Sequence, residues 1–150
     1  MDTWRLWITP PAHGAWNMAV DEAILEAVGR SDALPTLRLY AWEPACLSLG
    51  HAQPITDVDI PRLQVHGWEV VRRPTGGRAV LHTDELTYAV MAPLDEPRLA
   101  GTVLESYHRL AKALVEALNL LSMKVEVNES SPSPGSKSSN PVCFEVPSTY

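Results

Sequence analysis

Arg72-Arg73-Pro74-Thr75-Gly76-Gly77-Arg78-Ala79-Val80-Leu81-His82 is the stretch whose reading decides the fold. A strand-like run over 68–71 feeds into it, and another over 79–81 leaves it. Between them lie a proline that fixes φ and paired glycines that accept positive φ and admit close approach of another molecule to the backbone. Two physical readings stand side by side. One is a tight turn decorated with solvated arginines. The other is a site for an anionic or acyl-phosphate-like ligand, since a plain hairpin has no use for Arg72, Arg73, Arg78 and His82 gathered around its glycines.

Working outward, the chain predicts one domain: 150 residues suffice to bury a core, and 45% hydrophobic with 20% charged residues is ordinary for a globular chain. The net charge of −6 argues against a nucleic-acid partner, although 72–78 is a local basic patch. No apolar run approaches the ~20 residues of a membrane span, and the start, Met1-Asp2-Thr3-Trp4, lacks a signal-peptide pattern, so no membrane partner is expected. Cys46 and Cys143 sit far apart with no metal-like pairing. Reduced thiols in the cytoplasm fit better than a disulfide scaffold.

Residues 4–9 alternate and predict a strand. A helix is expected over 15–28, with Trp16, Val20, Ala23, Ile24, Ala27 and Val28 on one face and Gly29 as its stop. Glu22 reads as part of a solvated acidic face. Strands are expected over 36–41, with Leu37, Leu39 and Ala41 sharing a face, and over 46–50. Cys46, inside an apolar strand, is assigned to packing. His51 follows at the strand end, where a loop histidine is more often merely exposed. A short helix over 57–66 ends at Gly67, and a strand covers 86–91. Thr102 and Glu105 then form a capping-box pattern ahead of the stripe Val103, Tyr107, Leu110, Ala111, Leu114, Leu118 and Leu121, which predicts a core helix. Residues 123–127 are expected to form a strand, and 128–140, Ser/Pro-rich, a mobile polar loop.

Four segments, taken in order, resemble the lipoate–protein ligase and octanoyltransferase family. They are Asn17-Met18-Ala19-Val20-Asp21-Glu22-Ala23, Pro44-Ala45-Cys46-Leu47-Ser48-Leu49-Gly50, the loop 72–82 with Glu85-Leu86-Thr87-Tyr88, and Cys143-Phe144-Glu145-Val146-Pro147-Ser148-Thr149-Tyr150. The last is similar to the cysteine-dependent octanoyltransferase branch. The resemblance implies an α+β fold, a mixed, largely antiparallel sheet with packed helices, of which this chain is the N-terminal part. The order of elements agrees, since alternating βαβ units are not evident. It also implies structural roles for Asn17 and Asp21 at the edge of an acyl pocket.

By the same resemblance Cys143 is the nucleophile that takes octanoyl from acyl carrier protein as a thioester. It then passes the acyl chain to a lysine of a lipoyl-domain protein such as the glycine cleavage H protein, with no cofactor. From the residues alone, a cysteine at an apolar strand start is by default a packing residue. Arg73, Thr75, Gly76, Gly77, Arg78, Ala79 and His82 are the expected substrate-binding residues, the loop N–H groups holding a carbonyl or its oxyanion. Ligases of the family tend to carry a third glycine where this chain has Arg78, which favours the ATP-independent transferase. Alternatives are an ATP-dependent ligase, a cysteine-dependent amidotransferase, or a non-catalytic half that binds lipoyl-domain proteins. The family's thiol-activating lysine falls beyond Tyr150, so a piece of a longer enzyme, or one half of a bipartite one, is expected.

Overall fold

Six strands carry the fold over residues 3–125, which the computed structural model describes: β1 (Arg5–Ile8), β2 (Thr36–Tyr40), β3 (Cys46–Leu49), β4 (Glu69–Arg72), β5 (Val80–His82) and β6 (Thr87–Met91). They pair into two three-stranded sheets, ordered β1-β2-β6 and β4-β3-β5. Both sheets follow one plan. The central strand has a parallel neighbour on one side and an antiparallel neighbour on the other, so the pairing is mixed, as expected.

Each parallel pair is joined by a helical crossover. Helix α1 (Gly14–Gly29) connects β1 to β2; a 3-10 turn, Ile55–Asp57, and α2 (Ile60–Val65) connect β3 to β4. The βαβ order that the hydrophobic pattern does not reveal is therefore present twice. Both helices and their flanking strands are expected from the sequence; what the pattern does not show is that the strands on either side of each helix pair in parallel.

The face of α1 that packs inward is Gly14, Asn17, Met18, Asp21, Ile24 and Val28. It is rotated from the expected stripe: Trp16 and Ala23 are exposed, because a buried arginine on β2 draws Asn17 and Asp21 inside. Glu22 is exposed, as read. The helix also runs through Gly29, and Ser31 at φ 61° makes the left-handed turn instead. Two clusters form the core. One joins Met18, Tyr40, Trp42 and Cys46 with Val71 and Ala89; the other joins Ile24, Val28 and Met91 with Val20, Ala33 and Ala89. The expected stop at Gly67 is present, with φ 66°.

The chain divides after Met91 into a second compact unit that begins at Ala92. Its described part is a connector and α3 (Val103–Leu120), whose first turn is closed by the predicted capping box between Thr102 and Glu105. The expectation that α3 is a core helix is corrected: none of its residues is buried, and Val103, Tyr107, Leu114 and Leu121 of the stripe are exposed. Within that unit no other helix or strand is described against which the stripe could pack. The strand expected over 123–127 does not form at 123–125; its last two residues, the loop 128–140 and Cys143 lie outside the described residues.

Candidate functional site

The loop between β4 and β5 is held from within by one side chain. Arg73 Nη2 donates to the carbonyls of Gly76 (3.1 Å) and Arg78 (2.6 Å), while its Nη1 donates to the carbonyl (2.8 Å) and Oγ (3.0 Å) of Ser48. The His51 N–H donates to the Thr75 carbonyl at 2.9 Å. Arg72 ties down the facing turn, its Nη1 donating to the carbonyls of Gly50 (2.8 Å) and His51 (2.9 Å). Three loop carbonyls are thus turned inward. The N–H groups of Gly76 and Gly77 donate to no other described residue, and both glycines are exposed.

Two glycines make this arrangement possible. Gly77 sits at φ 95°, where a side chain is strained. Gly50, at the end of β3, lies directly under the loop: a Cβ there would stand 1.9 Å from the Gly77 carbonyl oxygen and 2.9 Å from its carbon.

Beneath the loop, His82 is buried and stacked on Trp42, with ring centroids 4.1 Å apart and planes 12° from parallel. Its Nε2 is 2.8 Å from Ser48 Oγ and its Nδ1 bonds Glu85 Oε1. Glu85 Oε1 also accepts from Thr87 Oγ1 (2.9 Å), which accepts from Trp42 Nε1 (2.7 Å).

A second polar cluster locks α1 to β2. Arg38, fully buried, donates through Nη1 to Asp21 Oδ1 (2.7 Å) and the Asn17 carbonyl (3.0 Å), and through Nη2 to Asn17 Oδ1 (2.8 Å) and Thr9 Oγ1 (3.1 Å). The guanidinium lies 4.0 Å over the Tyr40 ring, and Tyr40 donates its hydroxyl to Asp21 Oδ2 at 3.0 Å. Burial and then the neighbouring Asp21 carboxylate push the Tyr40 hydroxyl up, keeping it a donor. Cys46 is fully buried, and burial, followed by the Glu69 carboxylate, pushes its thiol up to about 12. That agrees with its assignment to packing.

Of the predicted substrate-binding residues, Thr75, Gly76, Gly77 and Arg78 form the exposed rim of the loop, whereas Arg73, Ala79 and His82 are its underpinning. His51 is exposed and contributes its backbone. Sequence reasoning missed Ser48 and Trp42 as parts of the site. A glycine ending an apolar strand just before a histidine turn is the one signal that pointed to close approach. Among the described residues no three His, Cys, Asp or Glu side chains are grouped to hold a metal ion, and no helix is long and apolar enough to cross a membrane.

Residues 13–144 match the lipoyl protein ligase A/B catalytic domain. Across its whole length the chain is 44% identical over 153 residues to octanoyltransferase LipM of Carboxydothermus hydrogenoformans, and 42% over 154 residues to that of Kyrpidia tusciae. It spans 55% and 56% of those two proteins, about half the length of the curated relatives it matches. Among solved structures, it is similar to a bi-partite lipoate protein ligase from Thermoplasma acidophilum, with TM-score 0.66 and 26% identity over 86% of this chain and 49% of that one.

Proposed function

Because the chain belongs to the lipoyl protein ligase A/B catalytic domain family, we propose that it serves octanoyl transfer in lipoate biosynthesis, in the cytoplasm, without a cofactor. Acyl carrier protein is the donor, and a lipoyl-domain protein such as the glycine cleavage H protein is the acceptor. The Cys143 thiolate attacks the thioester carbonyl. The new carbon–sulfur bond replaces the one to the carrier, whose thiolate leaves and takes up a proton. A lysine amine of the acceptor then attacks the Cys143 thioester, the amide forms, and the thiol is regenerated with the proton lost by the amine. Thioester exchange is nearly balanced, and amide formation drives the cycle forward.

The observation that carries this reading is the loop itself, with carbonyls held by Arg73 and His51 and the N–H groups of the exposed Gly76 and Gly77 donating to no other described residue. Such a backbone edge suits a carbonyl whose oxygen gains charge in the tetrahedral intermediate. Thr75 and Arg78 flank that edge, Ala79 is buried where the loop enters β5, and His82 reaches Arg73 through Ser48. The replacement of a third glycine by Arg78 favours the transferase over an adenylate-forming ligase. Similarity to a bi-partite ligase supports a second reading, a half that binds lipoyl-domain proteins without turnover of its own.

Incubation with octanoyl carrier protein, ATP omitted, is expected to add a hydroxylamine-labile octanoyl mass to Cys143. The same adduct on Cys143→Ala would overturn the assignment. Acylation that requires ATP and free acid would indicate the ligase, and binding of a lipoyl domain without acylation would indicate the half-enzyme.

A further inference from the structure

The polar groups beneath the loop form one chain with a fixed direction. At one end stands Arg73, whose guanidinium can only donate. Ser48 Oγ therefore accepts from it, at 3.0 Å, and its single proton goes to His82 Nε2 at 2.8 Å; the other acceptor in reach, the Val80 carbonyl, is 3.5 Å away. With Nε2 accepting, a neutral His82 carries its proton on Nδ1 and donates it to Glu85. At the other end stands the Trp42 indole, also a donor only. It forces Thr87 Oγ1 to accept and to donate onward to the same oxygen of Glu85. Donor-only groups at both ends thus direct every proton toward one carboxylate oxygen.

We infer that Ser48, His82, Glu85, Thr87 and Trp42 act as one positioning device that orients Arg73, and through it the Gly76–Gly77 edge. The device spans both sheets, because Ser48 and His82 sit on β3 and β5 while Thr87 sits on β6. The Trp42 ring fixes the plane of the imidazole, keeping Nε2 aimed at Ser48 and Nδ1 at Glu85. Burial of Ser48 and His82 keeps water from substituting for the link between them, whereas Glu85, the sink of the chain, is its most exposed member. None of these residues touches substrate; their role is to prevent Arg73 from releasing the carbonyls of Gly76 and Arg78. What the edge then binds rests on the octanoyl-transfer reading above, but the chain of hydrogen bonds does not.

The test reads the tautomer directly. In 15N-labelled protein near pH 8, the His82 ring, assigned by its loss in His82→Gln, is expected as the Nδ1–H tautomer, with Nε2 unprotonated. An Nε2–H ring, or an averaged mixture like that of a solvent-exposed histidine, overturns the proposal whether or not the protein transfers acyl groups. Glu85→Gln keeps an acceptor for Nδ1–H and is expected to leave the tautomer and the Gly76 and Gly77 amide signals in place. Glu85→Ala is expected to shift both glycine amides, and to lower kcat of the transfer toward the ~10²-fold loss typical of a 1 Å misplacement, with KM little changed. Unmoved glycine amides in Glu85→Ala would show that the chain does not reach the loop. Should a Glu85 variant fail to fold, the wild-type tautomer still decides.

Discussion

Replacing Gly50 by alanine tests the packing of strand end against loop more sharply than any change in the loop itself. The backbone at Gly50 is not in the left-handed region, so alanine fits its φ, and the lost chain entropy of glycine would by itself stabilise by about 0.4–1 kcal/mol. Opposing this, the new Cβ would lie 1.9 Å from the Gly77 carbonyl oxygen, where contacts under 3.0 Å do not occur, so the loop must retreat by at least 3.0 − 1.9 = 1.1 Å. The obstructing atom is backbone and cannot rotate away. Overpacking of this kind costs about 1–3 kcal/mol, which exceeds the entropic gain. The retreat also pulls Thr75 from the His51 N–H, and a shift near 1 Å in a binding edge is worth ~10²-fold in rate. Gly76→Ala is the matched control, since a Cβ there meets nothing within 4 Å. Thermal unfolding should show Tm several degrees lower for Gly50→Ala and nearly unchanged for Gly76→Ala. Equal Tm values, or full transfer activity in Gly50→Ala, would refute the close packing of Gly50 on Gly77.

Three further outcomes follow from the same structure. Asp21→Ala leaves Arg38 buried without its carboxylate and is expected to destabilise by about 3–5 kcal/mol in urea unfolding, whereas Glu22→Ala, on the exposed side of the helix, stays within about 0.5 kcal/mol. Burial pushes the Glu69 carboxyl up, but the His13 hydrogen bond (2.7 Å), the Gly14 N–H (2.7 Å) and the His13 charge outweigh it and hold the group below its ordinary 4.5. A carboxyl depressed on folding stabilises fully above 4.5 and loses that contribution as pH falls through the lower folded value, so Glu69→Gln should flatten the acid limb of stability against pH; an unchanged limb would count against the clamp. The native Cys46 thiol, pushed up to about 12, should resist iodoacetamide at pH 8 until the chain unfolds, and rapid native labelling, read by mass spectrometry of the Cys46 peptide, would contradict its burial.

Much of the fold was legible because its strands are short apolar runs punctuated by Gly and Pro. Each of the six lies within one residue or so of the expected span, and the Thr102–Glu105 capping box announces α3. What escaped was polar burial. On β2 the apolar residues Leu37 and Leu39 are only half-buried, while Thr36, Arg38 and Tyr40 are fully covered. Pattern reading assumes that charged positions face water, and it fails where a bidentate guanidinium finds Asn17, Asp21 and Thr9. The rim of the site, Thr75 to Arg78, could be read from local sequence. Its supports Ser48 and Trp42 could not, because Ser48 meets the site through strand pairing over some thirty residues of chain and Trp42 through its stacking on His82. Amphipathic α3 shows the converse limit: a perfect stripe states that a face seeks cover, and nothing about what lies beside it.

The shared plan of the two sheets has a kinetic consequence. Their central strands, β2 and β3, are consecutive in the chain and are the only described strands paired on both edges. Amides of β2 and β3 are thus barred from solvent by two neighbours at once, while β1, β4, β5 and β6 each have a described partner on one edge alone. In native-state hydrogen exchange the slowest deuterium uptake should therefore fall on two short runs, 36–40 and 46–49, with faster uptake in the turn between them.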